Sequence, residues 1–354
     1  MKALVLSGGT GSRLRPLTYT SAKQLIPVAN KPILFYGLEA IREAGITEVG
    51  IIVGDTRREV MEAVGDGTAF GLRVTYIPQD APRGLAHAVL TAEEFINGEP
   101  FLMYLGDNLL RDGVAAFAQR FREDSPEALI LLSRVSDPQR FGVAELEGSR
   151  VVRLVEKPRE PKSDLALVGV YLFDRHIFEA ARSIRPSGRG ELEITDAIQH
   201  LIDRGRRVES VHVNGWWKDT GKPEDVLDAN RLLLEHLEPA VRGSVDPSSR
   251  LVGRVVVEEG ARVVDSEVRG PSIIGAGARV ENSYVGPYTA IGRNVTVRGS
   301  EVECSVVMED SQILDLGTRI TDSLIGRGVT VCRSPERPRA VRLVLGDHSW
   351  AGMP

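Results

Sequence analysis

From Ala3 to about residue 240, short apolar runs alternate with stretches whose apolar residues recur every three to four positions. ALVL (3–6), EVGIIVG (48–54), RVTYI (73–77), PFLMYLGDN (100–108) and ALILLSRV (128–135) read as strands. PILFYGLEAIREAG (32–45), REVMEAV (58–64), GLAHAVLTAEEFI (84–96) and a stretch near 113–123 read as helices, the first framed by Pro32 and Gly45. Near-continuous apolar strands interleaved with helices predict an α/β architecture, its mostly parallel sheet covered on both faces. Ligands of such sheets bind at the carboxyl ends of the strands. AELEGSRVVRLVEK (144–157) and LVGVYLFD (167–174) predict further strands that make the sheet mixed. A last helix is expected over PEDVLDANRLLLEHLEP (223–239), and RGSVDPSSR (242–250) reads as a polar linker.

Beyond it the period changes. Small aliphatics recur at intervals of about five to seven, from Val257, Val263, Val268 and Ile274 to Ile313, Ile320, Ile325 and Val331. Three intervals sum to 17 or 18 residues, as from Ile274 to Ile291 and from Ile313 to Val331. Helical and alternating-strand templates do not fit. The spacing describes a triangular coil with one inward aliphatic on each side. It resembles the hexapeptide-repeat, left-handed parallel β-helix family. Two domains are therefore expected, 1–241 and 242–354.

Bulk composition narrows the function. With 44 Lys and Arg against 49 Asp and Glu, the chain lacks the basic excess of a general nucleic-acid binder. No apolar run approaches the ~18 residues of a membrane span, and Lys2 leads straight into a strand without a signal-peptide pattern. No membrane partner and a cytoplasmic location are expected. Cys304 and Cys332 are too few for a disulfide framework or a cysteine-built zinc site.

The first strand runs into SGGTGSRLRP (7–16). A P-loop requires GxxxxGK[ST], which fails from Gly8 and from Gly9; a dinucleotide turn requires GxGxxG, and Leu14 occupies the third glycine position. Successive amides can still form an anion-binding nest, and Arg13 adds a planar donor suited to phosphate oxygens. LSGGTGSRLRPLT and SAKQLIPVANKP resemble the start of the sugar-1-phosphate nucleotidylyltransferases, above all the glucose-1-phosphate thymidylyltransferases. The resemblance continues in family order through IPQDAPRGLAHA (77–88), YLGDN (104–108), RFGVAE (140–145), VEKPREPKS (155–163), LVGVYLFD (167–174), GELEITDA (190–197) and WKDTG (217–221). It covers Lys2 to about Gly221, and with the β-helix appended the chain is similar to the long form of that family.

The resemblance implies a Rossmann-like nucleotidyltransferase domain that joins dTTP to glucose 1-phosphate and releases pyrophosphate. The nucleophile of such a reaction is a phosphate oxygen, already anionic at neutral pH. Catalysis then rests on positioning, cations and a metal ion, expected to be Mg²⁺. By resemblance, Arg13, Lys23, Asp107 and Lys157 are the catalytic candidates, and Asp107 with Asp219 the metal ligands. Nucleotide binding falls to Leu6, Ser7, Gly8, Gly9, Thr10, Gly11, Ser12, Arg13, Lys23, Gln24, Gln79 and Gly84. The sugar phosphate falls to Asn108, Gly142, Glu156, Lys157, Val168, Gly169 and Arg189. The amides of Gln24 and Gln79 suit the imide edge of thymine or uracil, so UTP is an expected slower substrate. Phe141 stands where many relatives carry Tyr and lacks its hydroxyl. His87 reads as a packing residue, and Trp216 and Trp217 as either pocket wall or core.

Three other functions compete with this one: a UTP- or GlcNAc-1-phosphate-using enzyme of the same fold, a non-catalytic regulatory relative, and a bifunctional acetyltransferase. The last is disfavoured because the only histidine from residue 249 onward is His348. The regulatory relative is disfavoured because Arg13, Lys23, Asp107, Lys157 and Asp219 are all present. The repeat domain is expected to serve homo-oligomer assembly or effector binding, with RAVRLVLGDHSW (339–350) capping the coil or packing across a neighbour.

Overall fold

Lys2–Leu6 is the central strand of a nine-stranded mixed sheet in the computed structural model, which describes residues 1–333 and 349. Glu48–Val53 and Phe101–Leu105 flank it in parallel, and Arg73–Pro78 lies beyond the former. Leu165–Phe173 joins antiparallel to Phe101–Leu105 and also pairs with Ala128–Arg134. The hairpin of Gly142–Glu147 and Arg150–Glu156 extends one end of the sheet, and Val208–His212 runs parallel to Ala128–Arg134. Alternation along the strands fills two separate cores. Leu4, Phe101, Met103 and Phe173 belong to one, while Val5, Leu102, Tyr104 and Leu172 belong to the other. Helices Ile33–Glu43, Arg57–Val64, Leu85–Thr91, Ala115–Asp124, His176–Ser183 and Ile194–Asp203 supply the covering layers. The architecture is the expected Rossmann-like one.

Three local expectations need correction. The stretch 84–96 is two helices, Leu85–Thr91 and Glu93–Ile96. The N–H of Ala92 between them is shared by the carbonyls of Ala88 and Val89, a tightening toward 3₁₀ geometry. The last long helix is Pro223–Leu234, because its final turn loosens into bonds from the His236 and Leu237 N–H groups to Leu233 and Leu234. Residues 242–250 are not a linker. Ser244–Val245 and Arg250–Val252 are strands of the first coil, paired with Arg262–Val264 and Glu267–Arg269. Polar outward positions dominate this coil, and only Val245 and Leu251 turn into its core.

Among the described residues the coils stack as three parallel sheets of six, six and five strands, a left-handed β-helix. The aliphatics picked out by their spacing fill its interior, from Val257 through Val297 to Ile325, with Ile320 and Val331 packed against them. The chain divides into two compact units. One comprises Met1–Thr10, Ser21–Leu25 and Ile33–Asp219; the other comprises Gly11–Thr20, Ile26–Pro32 and the chain from Thr220 onward. Within the second, the buried Asn230 accepts from the Ala29 N–H at 2.8 Å and donates to the Tyr288 carbonyl at 3.0 Å. The expected cap at 339–350 lies outside the described residues except for Ser349. Among the described residues no helix is long and apolar enough to cross a membrane.

Candidate active site

The parallel register sets Leu6 beside Leu105, so two strands deliver their carboxyl ends to one place. Leu6 is buried there, and Gly106 donates its N–H to the Leu6 carbonyl at 3.0 Å. Ser7, Gly8 and Gly9 continue the first strand, with the Ser7 N–H bonded to the Ile52 carbonyl at 2.9 Å. Both glycines are closely covered. A Cβ on Gly8 would lie 3.3 Å from Gln79 Oε1, and one on Gly9 would lie 3.2 Å from Lys23 Cε. The glycines thus let Gln79 and Lys23 reach in over the loop backbone.

Lys23 forms an ion pair with Asp107, which follows the other strand end. Burial pushes the Asp107 carboxyl up, but the Lys23 ammonium and its hydrogen bond, with the Asn108 amide, pull it below the usual carboxylate range. Asn108 donates to Asp107 Oδ1 at 3.2 Å and accepts from Trp217 Nε1 at 2.6 Å. Its side chain lies over Gly169, where a Cβ would come 2.7 Å from Asn108 Oδ1. Strand Trp217–Asp219 pairs antiparallel with Asn108–Leu110 and sets Asp219 opposite Asn108. Asp219 therefore stands across from the residue that follows Asp107. Two carboxylates suit Mg²⁺, which is typically held by one or two of them plus phosphate oxygens and water. Among the described residues no group of three or more His, Cys, Asp or Glu forms a metal cage.

Two polar atoms here are buried without a hydrogen-bond partner: Ser7 Oγ and Gln24 Oε1. Such atoms are costly in a native fold and mark places where a ligand completes the bonding.

A second cluster lies at Glu156, paired in register with Gly142. Glu156 bonds Lys157 and Arg189, each at 3.4 Å, and accepts from Thr195 Oγ1 at 3.3 Å. Burial raises its carboxyl pKa; Lys157 opposes this, and Glu193 adds to the rise. Lys157 sits at φ +42°, its N–H tied to the Phe141 carbonyl at 3.0 Å. Arg189 is held by Glu193 at 2.8 Å and Glu191 at 3.1 Å, so carboxylates already answer its charge. Phe141 meets Trp217 edge-on with ring centroids 5.2 Å apart. Val168 is fully buried in one of the two cores.

The structure thus gathers Gly8, Gly9, Lys23, Gln79, Asp107, Asn108 and Gly169, and separately Gly142, Glu156, Lys157 and Arg189. Thr10 is exposed, and Gly11, Ser12 and Arg13 belong to the other compact unit, where Arg13 is exposed on the short helix Ser12–Leu14. Gly84 precedes helix Leu85–Thr91 at φ +104°, and a Cβ there would strike the Leu192 carbonyl at 2.4 Å. Its glycine identity is thus required by backbone packing. Thr195 and Tyr104, which donates to the Asn108 carbonyl at 2.9 Å, carry no signal in the sequence, and His87 reads there only as a packing residue. Their hydrogen bonds are long-range or side-chain-specific, and no spacing rule marks them.

Strand ends that join a glycine loop to a lysine and two carboxylates define a phosphate-handling enzyme of the nucleotidyl-transfer class. The chain belongs to the nucleotidyl transferase family, whose model matches residues 2–236. It is 59% identical over 352 residues to a glucose-1-phosphate thymidylyltransferase of Streptomyces griseus, covering 99% of each chain. It is 58% identical to the enzyme of that name from Streptomyces antibioticus, covering 99% of this chain and 98% of the relative. A crystal structure described as a putative glucose-1-phosphate thymidylyltransferase from Bacillus anthracis superposes with a TM-score of 0.62 at 37% identity, covering 66% of this chain and 94% of that one.

Proposed function

We propose that this nucleotidyltransferase transfers a thymidylyl group from dTTP to α-D-glucose 1-phosphate, giving dTDP-glucose and pyrophosphate. The observation that carries the reading is the ion pair of half-buried Lys23 with buried Asp107 at the strand ends, beside the unpaired Ser7 Oγ and Gln24 Oε1. The choice of base and sugar is supported by the activity for which the two Streptomyces relatives are named.

In this reaction an anionic oxygen of the sugar phosphate attacks the α-phosphorus in line. The new P–O bond forms as the bond to the β-phosphate breaks, and the electron pair leaves with pyrophosphate. No proton has to move. Lys23 neutralises phosphate charge, and the amides of Gly8 and Gly9 receive phosphate oxygens. Lys157 holds the sugar phosphate and Glu156 accepts a sugar hydroxyl. Arg13 is assigned to the leaving pyrophosphate on its motif. Enzymes of this family generally use a divalent metal. Asp107 and Asp219 would hold Mg²⁺, which supplies charge neutralisation on the transferring phosphoryl group.

Pyrophosphate release tests the reading, measured for dTTP, UTP, CTP, ATP and GTP against a panel of sugar 1-phosphates, with Mg²⁺ and with chelator. The dTTP and glucose 1-phosphate pair should give the highest kcat/KM, UTP should follow, and chelator should abolish turnover. Undiminished activity in chelator, or preference for another pair, refutes it.

A further inference from the structure

Gln79 follows strand Arg73–Pro78, and its N–H is fixed to the Val53 carbonyl at 2.9 Å. Its side-chain amide has two ends in different surroundings. Oε1 faces the Gly8 backbone of the phosphate loop. Nε2 donates to His87 Nδ1 at 2.9 Å. His87 lies on helix Leu85–Thr91, flanked by the buried Ala86 and Ala88, and its own side chain is 20% exposed. The Asp80 carboxylate leaves Nδ1 as the acceptor for the Gln79 amide by favouring the ring proton on Nε2. That nitrogen faces Asp80 Oδ1 at 3.9 Å, and Asp80 is itself paired with Arg83 at 2.8 Å.

A free glutamine amide can present either end to a ligand. Here the orientation is locked, because reversing the amide would set Oε1 against the lone pair of Nδ1. The end left over Gly8 is an acceptor. An imide edge offers an N–H there, whereas a cytosine edge offers a ring nitrogen lone pair at the equivalent position. Locking Oε1 therefore favours the imide base.

We infer that His87 is a positioning residue that fixes the Gln79 amide and through it the selection of an imide pyrimidine over cytosine. This rests on the reading of Gln79 as a base-recognition residue given above.

The test compares His87→Leu, His87→Asn and Gln79→Leu in the full chain, with dTTP and CTP as probes. His87→Leu should raise the KM for dTTP about tenfold and shrink the dTTP-over-CTP ratio of kcat/KM by a similar factor, the scale of one oriented hydrogen bond. The KM for glucose 1-phosphate should not move. His87→Asn places an acceptor oxygen near the position of Nδ1 and should restore most of the preference. If Gln79→Leu raises the dTTP KM while His87→Leu leaves KM and preference unchanged, the positioning role of His87 is overturned and the base site stands. If Gln79→Leu also has no effect, the base-recognition reading itself fails. A parallel rise in both substrates' KM with a lower thermal midpoint, not rescued by His87→Asn, marks a packing residue and overturns the inference.

Discussion

In the coils of the β-helix, Ser266, Ser272, Thr289, Ser300, Ser305 and Ser311 are buried, and each hydroxyl donates to a backbone carbonyl. Several also accept from the next coil. Ser266 Oγ takes the Ser283 N–H, Ser283 Oγ the Ser300 N–H and Ser300 Oγ the Leu316 N–H, at 3.0–3.2 Å. In the α/β unit, Ser7 and Gln24 are equally buried, yet Ser7 Oγ and Gln24 Oε1 have no partner. Both regions bury polar atoms, but the coils satisfy theirs internally. The strand ends hold theirs open, and a buried polar atom left open costs about 1–3 kcal/mol. That cost makes physical sense where substrate supplies the missing bonds.

The sharpest test of this contrast is at the metal candidates. Asp107→Asn and Asp219→Asn should each lower kcat by about 10²–10³-fold or more at saturating substrates and Mg²⁺, with the thermal transition retained. Near-normal turnover in either variant would remove that residue from the metal site and weaken the contrast. No single substitution in the coils should approach this effect.

A paired measurement follows. Gln24→Leu removes an unsatisfied acceptor and should stabilise the ligand-free protein by about 1 kcal/mol, while raising the KM for dTTP several-fold. Ser300→Ala removes a satisfied hydroxyl and strands the Leu316 N–H, so it should destabilise by about 1–2 kcal/mol without changing either KM. Denaturant titration and steady-state kinetics on the two variants check the opposite signs. If both destabilise alike, the open acceptor is not held for a ligand.

Much of this was legible in the sequence, unevenly. Inward aliphatics every five to seven residues defined the coil because one side chain per face must be small, branched and buried. The glycines after the first strand are legible as a place of close backbone approach, whereas the role of Asp107 comes only from the resemblance, since an aspartate after a strand otherwise reads as a turn residue. The serine ladder was not readable: a serine in a polar corner looks like any turn residue until coils stack at the 17-residue spacing that separates Ser266, Ser283 and Ser300. The first coil reads as a linker for the same reason, since its strands pair with the coil that follows. His87 carries no spacing signal because its bond to Gln79 spans a loop and a helix start.

The smallest effect concerns Glu156, whose carboxyl pKa is raised, by burial first and also by Glu193, against the pull of Lys157 and Arg189. The sign follows from linkage. A carboxyl that holds its proton more tightly in the folded chain than in the unfolded one is destabilising when ionised. The cost is fully present above the folded pKa and vanishes as pH falls below the unfolded value, near ~4.3. Glu156→Gln keeps an acceptor for Thr195 Oγ1 and removes the charge. It should stabilise the chain by about 0.5–1 kcal/mol at pH 8, with the gain shrinking toward zero near pH 4. Because Glu156 is assigned to a sugar hydroxyl, the same change should lower kcat/KM for glucose 1-phosphate. Thermal midpoints of wild type and variant at the two pH values read the first effect, and kinetics read the second. A stability gain independent of pH would mean that packing, not charge, sets the strain at Glu156. Loss of stability at pH 8 would place Glu156 with the satisfied groups of the coils.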